Sequence, residues 1–434
     1  MSPLSPNRTD WIVQVNESLD REIPPSEERQ NWEKLSIYKV RSCITELKPK
    51  AYQPQVVSFG PYHHGKDHLF PMEKHKHRAL WHFVKRSGKP FECFFESLKE
   101  VAQVLKESYD ALDPEWEVGC SAADHFLELM ITDGCFMLEI LRTATEKGTQ
   151  ATQEKLDYVV NDPIFSKHGK LHIMPYIKRD MLMLENQLPM LVLERLVAVE
   201  SDGKKGLEYI YSLILNFCSS STRSKDIGKC LHVLDVYRKS LLPPVNNSNS
   251  NAVSRKEIIR SATELHDHGI RFKKSGSSSH TDISFAEGVL KLPEIMVNDI
   301  TESVYLNLIV FEHFHVGAGN EVTSYIFLMD KIINDEKDVA LLHAQGIIQN
   351  AIGSDKAVAE MFNSLCKEVT LQPESSLDDV HNKVSEYCKK NWYTWMATLF
   401  HTYFKSPWSI ISFIAAILLF ALTIIDTAYT VIYH

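Results

Sequence analysis

Residues 406–425 read SPWSIISFIAAILLFALTII and carry no charge. Twenty residues at about 1.5 Å rise span roughly 30 Å, the thickness of a bilayer's hydrocarbon core. The stretch is apolar on every side, so burying it in a soluble core would need cover all round. A transmembrane helix over 406–428 is therefore expected, followed by a short tail at 429–434. Trp392, Tyr393, Trp395, Tyr403 and Trp408 gather before it, and Tyr429 and Tyr433 follow. Aromatic rings favour the headgroup region. Pro407 suits a first helical turn, and Asp426 falls at the far end, where it reaches water.

Lys389, Lys390 and Lys405 precede the span and no Lys or Arg follows it. The positive-inside rule then places the N-terminal body in the cytosol. With about nine residues beyond residue 425, post-translational, tail-anchored insertion is expected. The plasma membrane is expected in preference to the endoplasmic reticulum. The first 33 residues lack the basic start and apolar core of a signal peptide and read as a flexible acidic leader. The glycosylation patterns at Asn7, Asn16 and Asn246 should stay unmodified in this topology.

The remainder has the apolar and charged fractions of a globular protein, 44% and 24%, enough to build a sizeable core. A net charge of −9 argues against nucleic acid as a partner, which demands a basic surface. Eight scattered cysteines, none in a C-x-x-C pair, fit a reduced cytosolic chain.

Helical periodicity dominates residues 34–404. It covers 66–86 and 92–112, and is clearest over 123–144, where Phe126, Leu129, Met130, Phe136, Met137, Ile140 and Leu141 recur at three- and four-residue steps. Asp133 falls on that apolar stripe, so it is expected to be buried or half-buried. A second apolar stretch covers 175–199, broken before Pro189, with Glu185, Asn186 and Gln187 placed to bond exposed helix ends. Residues 240–254 read as a flexible insert. Between 268 and 297 the texture changes to short strands at 270–272, 283–285 and 289–292, the last two joined by a turn at Glu287-Gly288. Helical periodicity resumes at 299–315, 323–333, 338–352, 355–369 and 376–404. The expected fold class is mainly α, with a small antiparallel β element.

Several motifs resemble the plant family of domain of unknown function 247, also called uncharacterised family 0481. They are Ser36–Val40, Ala51–Gly65 (AYQPQVVSFGPYHHG), Pro71–Lys76, Asp133–Phe136, Leu184–Pro189 (LENQLP), Ala262–Leu265 and Asn307–Ile309, with Tyr403-Phe404 and Pro407-Trp408 before the span. Arg41 stands where the family usually has proline. The resemblance runs over residues 34–434. It implies a membrane-associated plant protein, similar in some grass members to self-incompatibility determinants. It supplies no catalytic residues.

Six histidines crowd into 63–82. Of these His63, His64, His68 and His75 are the candidates for metal ligation, although no H-E-x-x-H motif is present and Pro71 interrupts any helix holding both His68 and His75. From Lys34 to Lys89 twelve Lys and Arg face three acids. Lys66, Lys74, Lys76, Arg78, Lys85 and Arg86 form a basic patch able to meet anionic lipid, a phosphate or an acidic partner. Asp133, Asp180, Glu185 and Asn186 are candidates for a structural polar network. Paired carboxylates for acid–base chemistry are the sharper alternative. Cys135 has no activating base identifiable in the sequence, and no nucleotide-binding or hydrolase signature occurs.

The leading reading is a membrane-anchored protein with a protein partner, acting in recognition or signalling without catalysis or cofactor. The alternatives are a membrane-bound hydrolase or metal-dependent enzyme using the His-rich segment, and a peripheral module that binds anionic lipid.

Overall fold

The computed structural model describes residues 34–117, 122–145, 158–159, 161–218, 227–242, 260–277, 279–367, 377–389 and 407–433. The acidic leader, most of the 240–254 insert, Cys120, and the aromatic and basic residues at 390–405 lie outside them. The helices of eight residues or more are α1 (Phe70–Ser87), α2 (Phe91–Lys99), α3 (Ala122–Thr145), α4 (Met174–Met181), α5 (Met190–Glu200), α6 (Leu207–Cys218), α7 (Val233–Ser240), α8 (Thr301–Phe314), α9 (Glu321–Ile332), α10 (Glu336–Ala344), α11 (Asp355–Leu365), α12 (Asp378–Lys389) and α13 (Pro407–Tyr433). The fold is mainly α. The helical body divides into two compact units. One comprises Met1–Ser224, Gly228–Val236 and Val310–Gly319; the other comprises Lys225–Ile227, Tyr237–Ile309 and Asn320–His434.

In the first unit α3 is the central rod. Helices α1, α2, α5 and α6 all pack against it, so every residue from Leu129 to Leu141 is buried. That exceeds the single apolar stripe of the sequence and carries Asp133 and Glu139 inside. Helix α1 begins with Pro71 in its first turn and stops at Gly88, whose φ of 65° is the left-handed value that ends helices. The helix expected at 92–112 is broken at Glu100-Val101 into Phe91–Lys99 and Ala102–Glu107. Helix α5 starts immediately after Pro189, as Pro189's effect on Leu188 requires.

In the second unit β1 (Arg271–Lys274), β2 (Ser284–Ala286) and β3 (Val289–Leu292) form a sheet in the order β1-β3-β2. Strands β2 and β3 are antiparallel across the Glu287-Gly288 turn, where both residues have positive φ. Strand β1 runs parallel to β3. A second pair, β4 (Ile295–Val297) and β5 (Ile348–Asn350), is parallel. Strand β5 ends the helical reading of 338–352. Helix α10 stops at Ala344, and Gly346 with φ 69° turns the chain into the strand. Asp338 ties this unit together by accepting the backbone N–H groups of Thr263, Asn334 and Asp335.

Helix α13 is 27 residues long. Within it, Ile411–Tyr429 has a mean hydropathy of 2.3 and no part buried in the protein, so it is long and apolar enough to cross a membrane.

Candidate functional site

An irregular segment, residues 53–66, crosses the interior of the first unit. Buried backbone outside helices and sheets must find partners for its N–H groups. Here side chains from α3, from the end of α4 and from the α4–α5 connection supply them. The Asp180 carboxylate accepts from Gln55, Val56 and Val57 at 3.0, 2.7 and 3.1 Å. Asn186 Oδ1 accepts from Phe59 at 2.7 Å, while its amide donates to the carbonyls of Val57 and Asp180. Asp133 accepts from Gly60 at 2.9 Å. The two long sequence motifs, AYQPQVVSFGPYHHG and LENQLP, are therefore a strap and its clamp.

The clamp residues sit in strained electrostatics. Burial pushes the Asp180 carboxyl up, against the pull of its three N–H donors and Arg179. Burial likewise raises Asp133, which the Lys76 ammonium 2.8 Å away opposes. Lys76 is itself fully buried and donates to Ser58. These carboxylates are occupied by backbone and by a buried cation, which is the geometry of a structural network.

At the end of the strap a pocket of about 500 Å³ opens. His63 lies at its base, with Nδ1 2.7 Å from Lys66 Nζ and Nε2 3.1 Å from Glu185 Oε2. The His63 ring thus lies between the Lys66 ammonium and the Glu185 carboxylate. The other Glu185 oxygen accepts from Val40 N–H at 2.6 Å. Lys39 and Arg41 complete the cationic wall. Burial lowers the Lys66 ammonium's pKa. Glu185 raises it and Lys39 lowers it further.

The four candidate metal-ligating histidines have separate surroundings. His63 faces the pocket. His64 packs edge-on to Trp116 and His125. His68 Nε2 meets the Pro54 carbonyl at 3.0 Å. His75 is half-buried, its pKa lowered by burial and by Arg78 and Lys74. Among the described residues no group of three or more His, Cys, Asp or Glu side chains is placed to hold a metal.

The basic patch is likewise divided rather than continuous. Lys76 is inside, Arg78 pairs with Asp162 at 2.8 Å, and Arg86 pairs with Glu139 and Glu200. Lys66 lines the pocket. Lys74 and Lys85 remain exposed on α1.

Three buried groups escape a reading by periodicity. Glu139 is fully buried, held by Arg86, by Arg142 at 2.9 Å and by the Tyr158 hydroxyl at 2.9 Å. Asp162 accepts from the Ile164 and Phe165 N–H groups at 2.8 Å. Gln187 donates to the Met181 and Met183 carbonyls and accepts from Leu234 N–H. Gln187 carried a signal, its place inside LENQLP. Glu139 lies outside the apolar positions read from the sequence of that helix. Cys135 is buried, and burial with the nearby Glu139 and Glu200 charges pushes its thiol well up, the opposite of an activated nucleophile.

A family model described as a plant protein of unknown function matches residues 37–422. Among curated proteins the chain is similar to the UPF0481 protein At3g47200 of Arabidopsis thaliana, at 29% identity over 92% of this chain and 87% of that one. The putative UPF0481 protein At3g02645 of the same plant is 22% identical, covering 96% of this chain and 93% of the relative. No solved structure matches.

Proposed function

We propose a non-catalytic recognition role at a membrane for this protein, which belongs to the DUF247 family of plant proteins of unknown function. Helix α13 is the anchor. Lys389, Lys390 and Lys405 ahead of it support a cytosolic body, and the plasma membrane is the favoured site. Within this reading the role is signalling, of the kind implied by the likeness to grass self-incompatibility determinants.

The observation that carries the reading is the outer face of α1. Phe70, Lys74, His77, Trp81 and Lys85 follow at steps of four, three, four and four residues and are all exposed. Phe70 and Trp81 keep 72% and 57% of their surface open, and the Lys85 ammonium lies 4.7 Å from the Trp81 ring centroid. Exposed aromatic anchors flanked by cations suit an acidic protein segment that also offers an apolar side chain. Tethering on one membrane raises the local concentration of such a partner, so each contact can be weak.

Proximity labelling from the intact protein in plant cells, compared with Phe70→Ala/Trp81→Ala, tests this. A recurrent protein partner lost in the variant supports the reading. An unchanged set of neighbours contradicts it. Binding of the same face to anionic vesicles in place of protein would assign it to lipid.

A further inference from the structure

The pocket at the end of the strap gathers more positive than negative side chains. Lys39, Arg41 and Lys66 line it, against one carboxylate, Glu185. Both oxygens of that carboxylate are already engaged, one by Val40 N–H and one by His63. Lys39 has Asp113 at 3.8 Å, the outer limit of an ion pair, with both side chains about half exposed. Arg41 lies over the Phe314 ring at 5.7 Å and has no carboxylate partner among the described residues. Three cations less one carboxylate leave a surplus of two positive charges at the pocket wall.

Holding such a surplus around a concavity costs free energy unless an anion enters. Burial is what chiefly depresses the Lys66 ammonium; Glu185 opposes the shift and Lys39 adds to it. His63 adds rigidity. Its Nδ1 meets the Lys66 ammonium at 2.7 Å and restrains its direction, so less side-chain entropy is lost on binding. The volume, about 500 Å³, falls within the range of small-molecule sites.

We infer that this pocket binds the phosphate of a phosphomonoester, with Lys39, Arg41 and Lys66 as the charged donors and the Ser42 hydroxyl beside them. A phosphomonoester carries about −1.5 to −2 at neutral pH, which matches the surplus. A carboxylate neutralises only half of it. The phosphate can belong to a free phosphorylated metabolite or to the headgroup of a membrane lipid; the chemistry at the pocket is the same. The site is distinct from the outer face of α1 and does not depend on the recognition reading.

The test uses the full-length protein in phosphatidylcholine nanodiscs, titrated with inorganic phosphate against chloride at matched ionic strength, with thermal unfolding and phosphorus NMR line-broadening as readouts. A second arm replaces free phosphate by nanodiscs containing phosphatidylinositol 4-phosphate. Saturable binding in the first arm assigns a soluble ligand, and binding in the second arm alone assigns a headgroup. Arg41→Gln and Lys66→Gln should each weaken the binding by about tenfold, as expected for the loss of one charge-assisted contact. Lys85→Gln, outside the pocket, should leave it unchanged. Arg41 is exposed, so its variant keeps the fold even where Lys66→Gln does not. No saturable binding in either arm, or equal binding by Arg41→Gln and the parent, overturns the inference.

Discussion

The ammonium of Lys76 lies 2.8 Å from the carboxylate of Asp133, and neither side chain exposes any surface. One comes from α1, the other from the central α3, and Asp133 also grips the strap at Gly60. Removing one partner strands the other charge in the core. Lys76→Met is expected to cost about 3–5 kcal/mol of stability. Lys76→Met/Asp133→Asn should cost less than the sum of the two single changes, because no fully buried charge is left unpaired; Glu73, which also meets Lys76 at 2.8 Å, is partly exposed. A double-mutant cycle by urea unfolding of the detergent-solubilised protein measures the coupling.

Asp180 distinguishes a clamp from a catalytic acid. Asp180→Asn turns an amide N–H toward the donors of Gln55, Val56 and Val57 and is expected to destabilise by about 3 kcal/mol. Thermal unfolding checks it. A variant as stable as the parent would separate Asp180 from the strap.

Gly60 tests the strap's path. Its φ is +73°, and an added Cβ would stand 2.8 Å from the Gln187 carbonyl oxygen and the Tyr109 hydroxyl. Backbone strain and overlap act together, so Gly60→Ala should cost about 2–3 kcal/mol. Gly65 also has positive φ but meets nothing within 4 Å. Gly65→Ala should therefore cost about 1 kcal/mol, the strain alone. Comparing the two unfolding midpoints separates fit from backbone freedom.

The contrast between these residues shows what the sequence could convey. The long apolar C-terminal helix and the central helix were legible because hydrophobic period and length are local properties. Asp133 was legible as buried because it interrupts an apolar stripe. Its partner was not, since Lys76 is 57 residues away and looks like one basic residue among many. The basic patch divided for the same reason: Arg78 and Arg86 have acids waiting on other elements. Strand β5 was missed because three residues pair only with a distant partner at Ile295–Val297. The pocket joins residues 39–66 to Glu185, a convergence that spacing along the chain does not encode.

Glu139 sets a pH dependence. Burial raises its pKa, but Arg142 and Arg86 outweigh that, and the net shift is downward from the ordinary value of 4.5. A carboxyl lowered in the folded state contributes stability that is complete above its unfolded value and lost as pH falls through the folded one. The contribution of Glu139 to melting temperature should therefore hold steady above about pH 5 and fall away below about pH 4. Glu139→Gln should be less stable than the parent at neutral pH and converge with it in acid. A gap that widens in acid would reverse the sign.

The central claim is that α13 is solvated by lipid. Washing plant membranes that contain the full-length protein with alkaline carbonate tests it most directly. The protein should stay in the membrane pellet, and replacing Leu418 and Leu419 with lysine should release it to the supernatant. Release of the unaltered protein by carbonate would contradict the claim.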